Sequence, residues 1–435
     1  MKSFTIPLLD DDILNHILTF LPDFYSLKAT ILSTKTFYDV YKAHPNSIRR
    51  AVAENVVGPA LPEALRFVRH RDPKDLETED EVEADESAPI MEEEIPELVE
   101  NARMFRVLED VFSLRHKNRE SKTSQLTYDE SLRFQRAIYR LALFTKVFYG
   151  PNLSGEFNSA EDEEESEKLQ DKKRKEQIEF LRPFSVLELR QIFSASVLLA
   201  EVVRWAEAGD DDTYGLVGDD ASRVGMALSS GPDTIYRCYN EGSIETLMAE
   251  FDWYNDDEPL PFFAGYLTHP LSELLKKRNF KGALEDDTHW RSIVDDVVGL
   301  HDLCSCCNTE GGFNLWGPST YEYLYQTVRS IKPGLVVLMK GDLSKNPIET
   351  TYFRRFVKEI PGDENIYKHV VQDILDSDYK TSEFKACKPD DLLCTDCLTK
   401  LLEDNLHLWL LDEKMKGELS YSLATSDASP FLIWG

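Results

Sequence analysis

At 435 residues with 42% hydrophobic and 29% charged side chains, the chain is long enough for two to three domains and has the composition of a folded globular protein. Its formal net charge of −30 excludes the basic footprint that binding a phosphate backbone requires, so nucleic acid is not expected as a direct partner. No uncharged apolar run reaches the roughly 18 residues needed to span a bilayer, and Asp10, Asp11 and Asp12 interrupt any leader-like segment.

The charge is concentrated. Residues 72–100 hold 14 acidic residues against one lysine, and residues 156–167 hold seven acidic residues and no basic one. The seven cysteines are odd in number and unevenly spread, which argues for a reducing compartment, cytoplasm or nucleus, over a disulfide framework. The run Lys172-Lys173-Arg174-Lys175 reads either as an import signal or as charge compensation beside the acidic block.

In chain order, Asp10 or Asp11 is positioned to cap a first helix whose Leu14, Ile17, Leu18 and Leu21 form one stripe at i, i+3, i+4, i+7. Pro22 should end it and Asp23 cap a second helix with Leu27, Ile31 and Leu32. Ser33 or Thr34 should open a third carrying Phe37, Val40 and Tyr41. A helical extension to residue 70 follows, then an acidic linker, 71–100, with too few large apolar side chains to offset ordering entropy. Helical periodicity returns at Ala102–Phe112 and Leu132–Phe148, within a segment 101–150 expected to pack on the C-terminal domain. Residues 151–180 read as a charged insert, disordered over about 151–168 and then helical up to Pro183.

Ser185 followed by Glu188 has the pattern of a capping box and should open a helix reaching about Glu207. A Gly-, Asp- and Ser-rich loop over 209–231 and short helices broken by Pro259, Pro261, Pro270 and Pro318 are expected next. Leu335–Met339 is the one persuasive strand. The expected fold is therefore mainly α, with residues 181–435 as one irregular helical domain containing at most a minor β element.

The N-terminal residues carry a resemblance. In PLLDDDILNHILTFLPDFYSLKATILSTKTFYDV, Ile17, Leu18, Leu21, Pro22, Leu27, Leu32, Ser33, Lys35 and Phe37 match the pattern of the F-box family over about residues 6–50. The chain as a whole looks like F-box-like proteins of fungi. Two positions depart from the pattern: Leu9-Asp10 stands where the family has Leu-Pro, and Phe37 where it has tryptophan. The resemblance implies a three-helix module at 1–50 that binds a Skp-type adaptor. Leu9, Leu14, Ile17, Leu18, Leu21, Pro22, Leu27, Leu32 and Phe37 would be its contact set. It further implies a substrate-recruiting, non-catalytic subunit of an SCF-type ubiquitin ligase, with an unidentified protein substrate held by the C-terminal region. The alternative is a helical interaction protein with no ligase role.

Six cysteines fall in two clusters: Cys304, Cys306 and Cys307, then Cys387, Cys394 and Cys397. Cys304–Cys307 and Cys394–Cys397 each have the two-residue gap that aims two sulfurs at one tetrahedral metal, which makes these four the expected ligands of one structural zinc ion. His301 and Cys306 are competing ligands, Cys387 has no assigned role, and buried free thiols are the plain alternative. The vicinal pair Cys306-Cys307 is a further, redox-active alternative. No phosphate loop, dinucleotide fingerprint, HExxH or GxSxG motif is present.

Overall fold

The computed structural model describes residues 10–70, 88–118, 121, 123–159, 163–209, 220–241, 244–251, 262–280, 289–295, 299, 301–312, 315–316, 391–394 and 396–397. Among them the fold is mainly α, and no strand is formed beyond two isolated bridges. The expected strand at Leu335–Met339 and the amphipathic helix after Leu398 lie outside the described residues.

Four helices open the chain: α1 (Asp11–Thr19), α2 (Phe24–Ser33), α3 (Lys35–Ala43) and α4 (Pro45–Val57). Asp23 caps α2 by accepting from Ser26 N at 2.6 Å, and Thr34 caps α3 by accepting from Phe37 N at 3.3 Å. Asp10 occupies the α1 cap position without a side-chain bond, so its contribution there is its charge at the positive helix end. The end of α1 and the turn after it are met from α4, where Asn55 Nδ2 donates to Thr19 O and Leu21 O, both at 2.9 Å. Leu14, Leu18, Leu27, Val40, Ile48 and Val52 form the small core these helices enclose.

That core corrects the expected module boundary at residue 50. Helix α4 runs through it: Ile48 and Val52 close the small core, while Ala53 and Val57 belong to the main one, and Phe24 and Val56 pack against both. One rigid helix therefore serves two cores. At its end Gly58 takes φ +84°, a left-handed conformation that glycine adopts without strain.

The body comprises α5 (Leu61–Arg69), α6 (Ile95–His116), α7 (Tyr128–Val147), α8 (Gly150–Asn158), α9 (Glu163–Leu181), α10 (Val186–Gly209), α11 (Asp220–Ser230), α12 (Pro232–Glu241), α13 (Glu245–Phe251) and α14 (Thr268–Lys277). Helix α10 lies at its centre, packed on α7, α11, α12 and α14. Its Leu189, Ile192, Phe193, Leu198, Leu199, Val202 and Val203 are buried around much of its circumference, as a core helix requires. The Ser185–Glu188 capping box forms: Glu188 N donates to Ser185 Oγ and Ser185 N to Glu188 Oε2. A second box, Thr127–Glu130, opens α7.

Three expected irregular stretches are partly helical instead. In the acidic linker, residues 88–100 are ordered onto the body: Arg49 pairs with Glu92, and Arg69 with Glu94, both at 2.6 Å. Ile90 and Leu98 are there fully buried, and α6 begins at Ile95. The insert at 151–168 contains α8, which buries Leu153 and Phe157. The loop expected over 209–231 contains α11, with Met226, Ala227 and Leu228 buried and Gly225 so close to Phe263 O that a Cβ would stand 1.7 Å from it. In each case a few apolar side chains reach the core and overcome the local composition. Pro270 does not break a helix either; it sits in the first turn of α14, where its missing N–H costs nothing.

Candidate functional site

The chain reaches the cysteines through a segment tied to the body. The fully buried Glu130 carboxylate accepts from Lys117 Nζ (2.9 Å), Thr127 N (2.8 Å) and Asp295 N (2.8 Å). Burial alone would raise its pKa, but these donors outweigh burial and hold it below the usual carboxylate value. Arg133 donates to Ile293 O at 2.8 Å and Gln191 to Ser292 O at 3.1 Å. The chain beyond Asp295 therefore starts from a fixed point on α7 and α10.

Residues 303–310 then fold into a tight knuckle. Leu303 bridges Glu310, Cys304 N donates to Thr309 O at 2.9 Å, and Asn308 N to Cys304 O at 2.9 Å. Asn308 supplies the left-handed turn at φ +58°, which asparagine tolerates better than most residues. The second cysteine pair, 87 positions on, is laid against this knuckle by backbone bonds. Ser305 N donates to Leu392 O at 2.7 Å, and Leu393 and Trp316 exchange two bonds of 2.8 Å each. Cys394 N points at Cys304 Sγ from 3.3 Å.

The result is that Cys304, Cys307, Cys394 and Cys397 bring their sulfurs within 4.8 Å of one another, and Cys307 and Cys394 are 3.7 Å apart. Sulfurs at tetrahedral corners about 2.3 Å from a central ion lie about 3.8 Å from each other, whereas a disulfide needs about 2.05 Å. The described cysteines are all free thiols. Four cysteines thus stand at metal-binding distance. Thr309, through its hydroxyl and backbone N–H, brings Cys307 down to about 6. Burial works against Cys304, but backbone N–H groups of Cys307, Cys394 and Cys306 prevail and lower it. Burial, together with neighbouring thiols in each case, raises Cys394 and Cys397. Close thiols resist simultaneous ionisation, and a divalent cation removes that conflict.

The competing ligands fall outside the tetrad. His301 is exposed and faces Glu310 Oε1, and Cys306 is exposed beside the four. Cys387 lies outside the described residues. The tetrad is joined to the body through Trp316, which packs against the main core with Arg115 stacked 4.8 Å from its ring centroid.

The residues expected to meet an adaptor divide sharply. Leu14, Leu18 and Leu27 are interior, at 4%, 0% and 4% exposure, and are corrected out of any contact set because they already fill the small core. Leu21 and Phe37 are half-buried against that core, while Ile17, Pro22 and Leu32 are exposed. Leu9 lies outside the described residues. Four residues outside that expected set are also exposed on these helices: Ile13, Phe20, Tyr25 and Tyr38. The signal was in the sequence, since α1 carries a second apolar row, Ile13, Ile17 and Phe20, beside the row that is buried.

Of the twelve large hydrophobic side chains exposed among the described residues, six lie between Ile13 and Tyr38, so exposure is concentrated on α1–α3. Elsewhere, Ser194 Oγ stands 3.2 Å from His289 Nδ1, but Ser194 is fully buried and its hydroxyl also contacts His289 O and Ser292 Oγ. That cluster faces the interior, not a cleft. No helix among the described residues is long and apolar enough to cross a membrane. No protein family, curated protein or solved structure matches the chain.

Proposed function

We propose that the chain recruits a protein substrate to an SCF-type ubiquitin ligase, binding a Skp-type adaptor through α1–α3, and that the cysteine tetrad holds one structural zinc ion. The observation that carries the first part is the exposed apolar set on the N-terminal helices. A small helical unit that fills its own core with one row of side chains and leaves Ile13, Ile17, Phe20, Tyr25, Leu32 and Tyr38 in solvent has surface suited to a partner. The match of residues 6–50 to the F-box pattern supplies the kind of partner. The role is recruitment: the adaptor is met at one end, and the body is left to hold a substrate.

Deletion of residues 1–50 is an unsuitable test, because it would cut α4 and expose Val52, Ala53 and Val57. Single substitutions at exposed positions keep the fold. Ile17→Asp and Leu32→Asp, assayed by adaptor pulldown with the full chain, are each expected to weaken binding by about tenfold or more. Full retention of adaptor binding by both variants, or no binding by the native chain, sinks the ligase reading. The second reading, a helical interaction protein without a ligase role, is favoured by the sharing of α4 between both cores, which makes the N-terminal helices part of the body's own fold.

For the metal, four thiolates with no open position are the donor set of a structural zinc site, and N–H groups directed at Cys304 are its usual support. Metal analysis of the full chain should find about one zinc per molecule. Less than half of that, with an unchanged fold in chelator, rules the ion out.

A further inference from the structure

The knuckle meets the body at an indole. Gly311 N and Gly312 N donate to Asp302 O at 3.0 and 3.2 Å, and Leu315 N donates to Gly312 O at 3.3 Å. Leu315 lies so close over Gly311 that a Cβ there would stand 2.4 Å from it, so Trp316 follows the knuckle closely. Trp316 also exchanges two backbone bonds with Leu393, which precedes Cys394 in the chain. The pairing that brings the two cysteine pairs together therefore also fixes this ring. On the body side the ring covers Arg115, in the last turn of α6, at 4.8 Å from guanidinium to ring centroid. The Arg115 side chain is 11% exposed, and its Nε is buried without a hydrogen bond. Glu201 Oε2 on α10 stands 3.6 Å from it and is likewise without one. A cation so poorly solvated and so loosely paired depends on its other neighbour, and an indole face attracts a cation more strongly than any other side-chain ring.

We infer that Arg115 is a positioning residue of the metal site: by holding the Trp316 ring it keeps the knuckle and the 391–394 segment in the arrangement that binds the ion. The inference rests on the reading of the tetrad as a metal site. The route from site to body is contiguous. Cys394 adjoins Leu393, Leu393 pairs with Trp316, Trp316 covers Arg115, and Arg115 faces Glu201 on the central helix α10. Coupling along such a route is reciprocal. If a bound ion keeps the indole on Arg115, then loss of Arg115 weakens ion binding by the same factor, although Arg115 supplies no ligand atom. An ordinary structural role has a different signature: it lowers the stability of the metal-free and metal-bound forms alike and leaves metal affinity unchanged.

The full-length chain tests this by zinc titration in competition with a chromogenic chelator. Arg115→Gln and Trp316→Leu are each expected to bind zinc roughly three- to tenfold more weakly than the native chain. The double variant should bind no more weakly than the weaker single one, because both changes remove the same contact. Trp316→Phe, which keeps a ring, should recover part of the loss. Zinc should also raise the melting temperature of the native chain by more than that of Arg115→Gln. Native zinc affinity in both single variants, additive losses in the double variant, or an equal zinc-induced rise in melting temperature overturns the inference and leaves the metal site standing. Loss of helical circular dichroism by both zinc-free single variants also overturns it, since the contact would then serve the fold itself. A native chain that binds no zinc removes the metal reading, and the inference with it.

Discussion

The N-terminal helices and the cysteine knuckle are both too small to be stable alone, yet they solve that problem by different means. The N-terminal unit encloses six buried apolar side chains and borrows a helix, α4, from the body. The knuckle buries Cys304, with Leu315 buried beyond it, and a few backbone bonds join its two distant stretches of chain around four sulfurs at metal-binding distance. One is held by hydrophobic continuity and the other by donor atoms. A unit of the first kind tolerates loss of a surface side chain, whereas a unit of the second kind, read as the metal site proposed above, is expected to fail when one of its four cysteines is lost.

On the proposed zinc reading, Cys304→Ser is expected to have the largest local effect: zinc binding is abolished and the 391–397 segment separates from the knuckle, while helical circular dichroism of the body is kept. Global loss of helicity would show that the knuckle is not the separable unit described. In the body, Phe144→Ala should cost about 3–5 kcal/mol in denaturant unfolding, because this fully buried ring packs on Phe148, Phe180 and Tyr266. Leu18→Ala should cost about 2–4 kcal/mol, with the loss confined to exchange protection of α1–α4 if the small core opens by itself. Equal loss across the whole chain would mean that α4 couples the cores into one cooperative unit.

Acid supplies a smaller and graded test. Glu188 accepts from Ser185 and pairs with Arg136 at 3.0 Å and Arg140 at 2.8 Å, a network that Glu63 completes across α5, α7 and α10. Burial opposes ionisation, but the Ser185 bonds and Arg140 outweigh it and bring Glu188 down from 4.5 to about 2. A folded-state pKa below the unfolded one contributes stability that is complete above 4.5 and disappears as pH falls toward 2. Native protein should lose melting temperature across that interval, and Glu188→Gln should be less stable at neutral pH with a flatter acid limb. An unchanged acid slope in the variant would assign the acid loss to other carboxylates. Ile17→Asp should change stability least, within about 0.5 kcal/mol, since the side chain is exposed, and a larger loss would place Ile17 in the packing rather than on the exposed row of α1.

Local signals in the sequence carry through to the structure where the physics is local. Asp23 and Thr34 cap the helices they precede, and Ser185 with Glu188 closes its box, because a capping bond spans three residues and needs nothing from the rest of the chain. The tetrad was legible for a similar reason: a two-residue gap commits two sulfurs to one point. What the spacing left open was whether two such pairs, 87 positions apart, would meet, and whether His301 or Cys306 would displace one of them. The Leu393–Trp316 and Ser305–Leu392 bonds decide that, and no short-range pattern encodes them.

Composition misled where burial is sparse. Residues 88–100, 151–168 and 220–230 read as charged or loop-forming. Ile90 and Leu98, then Leu153 and Phe157, then Met226 and Leu228 reach a core built by helices from elsewhere in the chain. Likewise the spacing of Ile13, Leu14, Ile17, Leu18 and Phe20 marks adjoining apolar rows on α1, but packing against the neighbouring helices sets which row faces inward. Leu14 and Leu18 meet the small core that α3 and α4 help to build, so Ile13, Ile17 and Phe20 are left outside. Periodicity specifies a helical face; what covers that face depends on neighbours whose positions are set by the rest of the fold.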